Sequence, residues 1–137
     1  MPKVAILIGS ESDTKFIEAA YDYFRYFGIE YELHVLSAHR NPHEVSKFAG
    51  NARNNGYSAL IGAAGMAAHL AGVLAAHSDL PVIGVPMPGG ISDGMDSLLS
   101  TVQMPKGVPV ATFAVGKAGA INAAIFVAQF LSLTDDN

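Results

Sequence analysis

The stretch "VAILIGSESD", residues 4–13, decides the fold class of this 137-residue chain. Its first five residues form an uninterrupted apolar run of strand length, which is typical of a strand covered on both faces. The polar residues from Ser10 onward indicate a helix start. Apolar residues at helical spacing then run from Phe16 to Phe27, and Gly28 follows where a helix C-terminus favours glycine. A buried strand followed directly by a helix predicts an α/β fold.

The same strand-and-helix unit occurs four more times along the chain. Apolar runs predict strands at 30–36, 58–62, 81–86 and 108–115, each followed by a helix, at 42–56, 67–78, 94–104 and 118–133. Asn41, Pro42 and Glu44 match an N-cap, an N1 proline and an N3 glutamate. Short connections favour a parallel sheet with helices on both faces. We therefore predict one domain over 1–137, a three-layer α/β sandwich whose five-stranded parallel sheet has the order 2-1-3-4-5.

The composition favours an oligomer and gives no sign of a nucleic-acid partner. Half of the residues are hydrophobic and only 15% are charged, against roughly 25% in an average soluble protein. A monomer has little polar material here to cover its surface, so we expect subunit contacts. The closing helix at 118–133 is apolar nearly all round and is a candidate for such a contact. The net charge of -4 provides no electrostatic footprint for nucleic acid or anionic membranes.

The residue types and apolar runs also predict the compartment. The chain has no cysteine, which excludes disulfides and thiolate metal sites. The first apolar run is too short for a signal peptide, and no run reaches membrane-spanning length. We therefore expect a cytoplasmic protein without a membrane partner.

Unusual residues concentrate in the loops that leave the carboxyl ends of the predicted strands. These loops are "GSESD", "SAHRN", "GAAGMAAH", "PMPGGISDG" and "VGKAGA", whereas the opposite edge carries plain turns such as "FGIE" and "SDLP". In an open parallel sheet, ligands bind outside the carboxyl ends of the strands, where the strand order reverses. The sequence therefore predicts a ligand crevice at the switch point between strands 1 and 3.

The first of these loops carries two serines and an aspartate at a helix start. Ser10 and Asp13 have the spacing of a capping box. Alternatively, free backbone N–H groups and the hydroxyls of Ser10 and Ser12 bind an anion such as phosphate, with Asp13 binding sugar hydroxyls. The two interpretations are compatible, because one serine can cap the helix while the other binds.

The second and third loops supply an arginine and two histidines. Arg40 is either a solvated surface residue or a bidentate phosphate ligand. His39 is either structural or a proton-transfer group, since imidazole titrates near neutral pH. His69 either contacts the substrate or caps its helix. Lys117 at the fifth loop either reaches an anion or is a solvated lysine at a loop tip.

Three other site types match the residues less well. A flavin-binding electron carrier needs a Ser/Thr-rich phosphate loop and aromatic residues set to sandwich the ring; we find no such loop, and the chain has no tryptophan. A phospho-receiver needs acidic residues after strands 1 and 3 to hold Mg²⁺. Strand 3 leads into "GAAG", so the second acidic site is missing. The spacing of His34, His39 and His43 does not put three nitrogens on one face, so we predict no metal site.

The chain resembles the N5-carboxyaminoimidazole ribonucleotide mutase family of purine biosynthesis from Val4 to about Leu131. The resemblance is carried by "GSESD", "SAHRNP", "AAHLAG", "LPVIGVP", "DSLLSTVQMPKGVPVAT" and "VGKAGAINAA". Relatives that carboxylate aminoimidazole ribonucleotide directly have a lysine after "SAH" and an Arg-Ser-Asn in the third loop. Arg40 and "GAAGMAAH" therefore group this chain with the mutases.

This resemblance implies a flavodoxin-like subunit in a homo-octamer that needs no metal or organic cofactor. It implies an isomerase that moves a carboxylate from N5 to C4 of a small ribonucleotide, giving 4-carboxy-5-aminoimidazole ribonucleotide for IMP synthesis. It also implies proton transfer by His39, with His69 beside the transferred carboxylate. The substrate-binding residues that it implies are Ser10, Ser12, Asp13, Ser37 and Arg40.

The chain departs from the family pattern in two loops. The third loop of the family usually reads "GAGGAAHLPG", whereas this chain has Ala63, Met66 and Ala71 at three of those positions. We expect a stiffer loop that is bulkier at Met66. In the fourth loop, Gly89 stands where the family usually has a serine. Both departures lie in loops expected to contact the transferred carboxylate. They leave the residues expected to bind phosphate, Ser10 through Arg40, unchanged.

Overall fold

The computed structural model describes residues 1–134 and contains one five-stranded, all-parallel sheet in the order β2-β1-β3-β4-β5. The strands are β1 (Lys3–Ile8), β2 (Glu30–Val35), β3 (Ala59–Ala64), β4 (Val82–Pro86) and β5 (Ala111–Thr112). The helices are α1 (Thr14–Ile17), α2 (Tyr21–Phe27), α3 (Pro42–Asn51), α4 (Leu70–His77), α5 (Met95–Val102) and α6 (Lys117–Leu131). The predicted flavodoxin-like topology is confirmed.

The apolar run of β1 forms the centre of the molecule. Residues 4–8 are fully buried. Strands β2 and β3 flank β1 in the sheet, and helices cover both of its faces. Alternate side chains enter two separate cores. Ile6 packs with Phe24 and Val127 on the face covered by α2 and α6, whereas Leu7 packs with Leu74 on the face covered by α3 and α4. The sheet is therefore covered on both faces, as the continuous apolar run predicts.

Helix α4 lies unusually close to the sheet at Gly62. A Cβ on Gly62 would lie 2.9 Å from the Cα of Ala71. Only a residue without a side chain allows the two backbones to approach so closely. This contact fixes the start of α4, and with it the third loop, against the carboxyl half of β3.

The helix predicted from Phe16 to Phe27 is interrupted rather than continuous. Residues 11–13 and 18–20 form single 3-10 turns on either side of α1, and α2 then runs to Phe27. Gly28 ends it in the left-handed region, with a φ of 70°. The C-terminal prediction is confirmed, and the 3-10 turns change only the local winding.

The other boundaries differ by up to three residues, except in α3 and β5, where the differences are larger. Helix α3 ends at Asn51 rather than near Gly56, and the Asn41 side chain does not cap it. Asn41 instead accepts a hydrogen bond through Oδ1 from the backbone N–H of Ser37. Strand β5 has two residues instead of eight; Pro109 within the predicted run and Pro86 on the neighbouring strand both lack an N–H to donate to the ladder.

No helix among residues 1–134 is long and apolar enough to cross a membrane.

Candidate active site

A cleft of about 540 Å³ opens at the carboxyl edge of the sheet, where the order reverses between β1 and β3. Four loops form it, those that follow β1, β2, β3 and β4. The cleft is lined by all seven residues predicted to be catalytic or substrate-binding: Ser10, Ser12, Asp13, Ser37, His39, Arg40 and His69. Lys117 is exposed and does not line this cleft.

The first loop is held by Ser10. Its Oγ accepts a hydrogen bond from the Ser12 backbone N–H at 3.3 Å, so Ser10 is the N-cap of the 3-10 turn over 11–13. The Ser10 and Ser12 hydroxyls are also hydrogen-bonded to each other, with 2.9 Å between the oxygens. Ser10 therefore caps the turn, as one of the two interpretations predicts, and its hydroxyl contacts that of Ser12.

Asp13 stands half-buried beside these serines. Burial raises the pKa of its carboxyl above the ordinary value. Within residues 1–134 no group donates a hydrogen bond to that carboxylate, although its charged form needs donors when it loses water. The site thus offers an acceptor that a ligand hydroxyl can satisfy.

The second loop is a tight turn centred on Ser37. Its Oγ accepts hydrogen bonds from the backbone N–H groups of His39 at 3.3 Å and Arg40 at 3.2 Å, and Asn41 holds the Ser37 N–H. These bonds use the lone pairs of the hydroxyl and leave its O–H available as a donor. The turn presents His39 and Arg40 as exposed side chains. The guanidinium of Arg40 has no ion-pair partner in the described part of the chain.

His39 and His69 form a direct imidazole pair across the cleft. Nε2 of His39 lies 2.9 Å from Nδ1 of His69, and the rings are nearly perpendicular, with an interplanar angle of 83°. Such a bond requires one of these two nitrogens to carry a proton and the other to be free of one. The pair therefore holds a proton that can be passed along a hydrogen bond. His69 occupies the N-cap position of α4 but makes no side-chain cap, so the capping alternative is wrong.

Small residues form much of the remaining walls, together with Met66, Leu70 and Pro88. Gly65, Ala67, Gly89 and Gly90 line the cleft from the third and fourth loops. The fourth loop is held by Asp93, whose Oδ1 accepts from the Gly89 N–H at 2.8 Å. Pro88 and Gly90 were not predicted as lining residues; the signal for them is their place in a glycine-rich loop that follows a strand at its carboxyl end. No group of three potential metal ligands occurs among residues 1–134.

This geometry defines the class of protein: a flavodoxin-like α/β subunit with a polar small-molecule cleft at its topological switch point. The crystal structure of Treponema denticola PurE is similar over 99% of this chain and 84% of that one, with 28% identity and a TM-score of 0.87. A 3-dehydroquinate dehydratase-like protein from Bifidobacterium longum shares the fold at 16% identity and a TM-score of 0.63.

Sequence comparison identifies the family. Residues 3–137 match the AIR carboxylase family. The N5-carboxyaminoimidazole ribonucleotide mutase of Bacillus subtilis is 49% identical over 99% of this chain and 84% of its own length. Its counterpart in Vibrio vulnificus is 47% identical over 98% of this chain and 84% of its own length. The chain belongs to the AIR carboxylase family.

Proposed function

We propose that this protein acts as an N5-carboxyaminoimidazole ribonucleotide mutase, an isomerase of purine biosynthesis that moves a carboxylate from N5 to C4 of its substrate. The observation that carries the proposal is the hydrogen-bonded pair of His39 and His69 in one cleft with Asp13 and Arg40. The names of the bacterial relatives support the same activity.

The phosphate and ribose of the substrate bind at the first and second loops. Arg40 is an exposed cation that can form a bidentate contact with phosphate oxygens. The hydroxyls of Ser12 and Ser37 add hydrogen bonds to the same group. Asp13 accepts hydrogen bonds from the ribose hydroxyls, which supply the donors that its half-buried carboxylate lacks. Ser10 holds the loop that carries these groups.

The reaction proceeds by loss and recapture of CO2. The bond between N5 and the carboxylate carbon breaks, which releases CO2, and N5 takes up a proton. Ring C4, made electron-rich by the amine, attacks the CO2 carbon and forms the new bond. C4 then loses its proton, which restores the aromatic ring. Atoms and charge balance without an external reactant, so no cofactor is needed.

His39 moves the proton in both halves of this sequence. It donates a proton to N5 when CO2 leaves and accepts one from C4 after the new bond forms, so one imidazole serves in both directions. His69 lies within hydrogen-bond distance of His39 and contacts the transferred carboxylate. A cleft that keeps CO2 next to the ring makes its recapture effectively intramolecular.

We also propose a cytoplasmic homo-octamer of single-domain subunits spanning 1–137. Apolar side chains on helix α5 support an oligomer, since Met95, Leu99 and Val102 lie on one helical face and are exposed by 44–51%. The exposed ring of Tyr26 on α2 adds a second apolar area. Native mass spectrometry of the purified full chain tests the subunit number, and a monomeric species at micromolar concentration would contradict it.

The activity itself is tested by giving the enzyme two alternative substrates. N5-carboxyaminoimidazole ribonucleotide should be converted to the C4-carboxylated product, whereas aminoimidazole ribonucleotide with bicarbonate should not at comparable rate. Product formation is followed by ¹³C NMR, which distinguishes a carboxylate on N5 from one on C4 although the two isomers have the same mass, against a reaction without enzyme. Turnover of only the second pair would identify a carboxylase, and turnover of neither would refute an enzymatic role in this step.

A further inference from the structure

Met66 adopts a backbone conformation that methionine rarely takes. Its φ is 52°, in the left-handed region, and Ser92 and Asp93 are the other non-glycine residues with positive φ in the described part of the chain. A side chain at such a position costs conformational free energy that glycine would avoid. Residues held in such conformations cluster at active sites and ligand clamps.

The packing of Met66 does not repay this cost. Its side chain is 64% exposed, so it buries little apolar surface in the folded subunit. A weak contact runs through the backbone, since the carbonyl oxygen lies 3.5 Å from the Ser100 hydroxyl, which also donates to the Asp96 carbonyl at 2.7 Å. Any residue type would offer the same carbonyl. Stability of the subunit therefore gives no reason for a methionine here.

The position of Met66 in the cleft provides the reason. Met66 lies on the loop between β3 and His69, and it lines the same cleft as the imidazole pair. The fourth loop also lines this cleft through Pro88, whose ring is rigid, and through Gly89 and Gly90, which have no side chains. The other large aliphatic side chain in the lining, Leu70, is buried in the core. Met66 is thus the one long, movable apolar side chain that the described cleft presents to a ligand.

We propose that Met66 is a cover that retains CO2 in the cleft between its release from N5 and its capture by C4. This inference rests on the proposed mutase function. An unbranched thioether side chain can lie over the reacting atoms while the substrate is bound and move aside for product release. When CO2 escapes instead, the amine that has taken its proton leaves as aminoimidazole ribonucleotide, and the turnover is lost.

The test compares Met66→Gly with Met66→Leu. Each full-length enzyme is given N5-carboxyaminoimidazole ribonucleotide in ¹³C-bicarbonate with carbonic anhydrase, and rates without enzyme are subtracted. The readouts are the aminoimidazole ribonucleotide released per product molecule and the ¹³C content of the product. Met66→Gly should raise released aminoimidazole ribonucleotide by about tenfold, since that is the scale of losing one apolar contact in a reacting complex. Met66→Leu, which keeps an apolar cover, should stay close to wild type.

Each outcome separates the inference from its premise. If the wild-type enzyme shows no turnover, both the proposed function and the role of Met66 are refuted. If the wild-type enzyme turns over and Met66→Gly releases no more aminoimidazole ribonucleotide per product molecule than wild type, only the role of Met66 is refuted. A change of subunit number in Met66→Gly without extra release would make Met66 a subunit contact. Met66→Ala provides a second variant that removes the cover while keeping a Cβ, and it should release aminoimidazole ribonucleotide as Met66→Gly does.

Discussion

Replacing His39 by asparagine should abolish turnover and leave the fold intact. The side chain of His39 is exposed and makes one hydrogen bond within residues 1–134, to His69. Losing one exposed hydrogen bond lowers the free energy of unfolding by about 0.5–1.5 kcal/mol. Losing a general acid–base lowers kcat by about 10²–10⁴-fold, or about 2.7–5.4 kcal/mol of transition-state stabilisation. The predicted effect on catalysis therefore exceeds the effect on stability.

The assay measures kcat, substrate affinity and thermal unfolding on the same preparation. His39→Asn should bind N5-carboxyaminoimidazole ribonucleotide with nearly wild-type affinity, because the proposed phosphate and ribose ligands are on other residues. Circular dichroism should give a melting curve close to that of wild type. A variant that retains kcat within tenfold would refute proton transfer by His39, and a variant that folds but no longer binds would make His39 a substrate ligand instead.

A double-mutant cycle with His69→Asn provides the control for the pair. Two residues that act through one hydrogen bond give effects that do not add, whereas independent residues give additive losses. With His39 already replaced, His69→Asn should therefore cost much less in kcat than it costs in the wild-type background. Additive losses would show that the 2.9 Å contact in the free enzyme has no part in catalysis.

Two further substitutions test the cleft and the packing beneath it. Burial raises the pKa of Asp13, so the folded state binds more protons than the unfolded state between the two pKa values, and stability falls as the pH rises through that window. Asp13→Asn should therefore unfold at a higher urea concentration than wild type at neutral pH, and this advantage should disappear near pH 3. The variant should also bind substrate at least about tenfold more weakly. Unchanged binding would contradict a contact between Asp13 and the ribose. Gly62→Ala places a Cβ 2.9 Å from the Ala71 backbone and should lower the free energy of unfolding, measured in urea, by about 1–3 kcal/mol. In the control variant Gly50→Ala the new Cβ lies 3.9 Å from its nearest neighbour, so the free energy of unfolding should not fall. Equal losses in the two variants would contradict the close approach of α4 to the sheet.

The sheet order and the position of the cleft were predictable because both depend on features that repeat along the chain. Five apolar runs separated by helical segments leave few parallel topologies, and the observed order is the predicted one. Placing Ser10, Arg40 and His69 in one cleft needed only this topology, because each follows a strand at its carboxyl end. The length of β5 was only partly predictable: Pro109 in its own run argues against an early start, whereas the effect of Pro86 at its carboxyl end depends on which residues of β4 lie beside it.

The details of the site depend on contacts that a sequence does not encode locally. Asn41 has the residue type and spacing of an N-cap, yet its amide bonds to Ser37, because the turn that precedes α3 competes for the same acceptor. The bond between His39 and His69 joins residues 30 positions apart, and it depends on the side-chain rotamers of two loops. The left-handed conformation of Met66 runs against the preference of its residue type, so only coordinates reveal it.

The polar residues of the cleft divide into two groups by what their side chains contact. Ser10 and Ser37 accept hydrogen bonds from backbone N–H groups of their own loops, and these bonds fix loop shape before any ligand arrives. Asp13 and Arg40 have no ion-pair partner in the described chain, so their charges remain available to a substrate. Because these loops are already ordered, a ligand loses less binding free energy to ordering them. More of the binding free energy can then stabilise the transition state. A cleft that served only stability would pair its charges with each other, as Arg53 and Asp79 do elsewhere on this subunit.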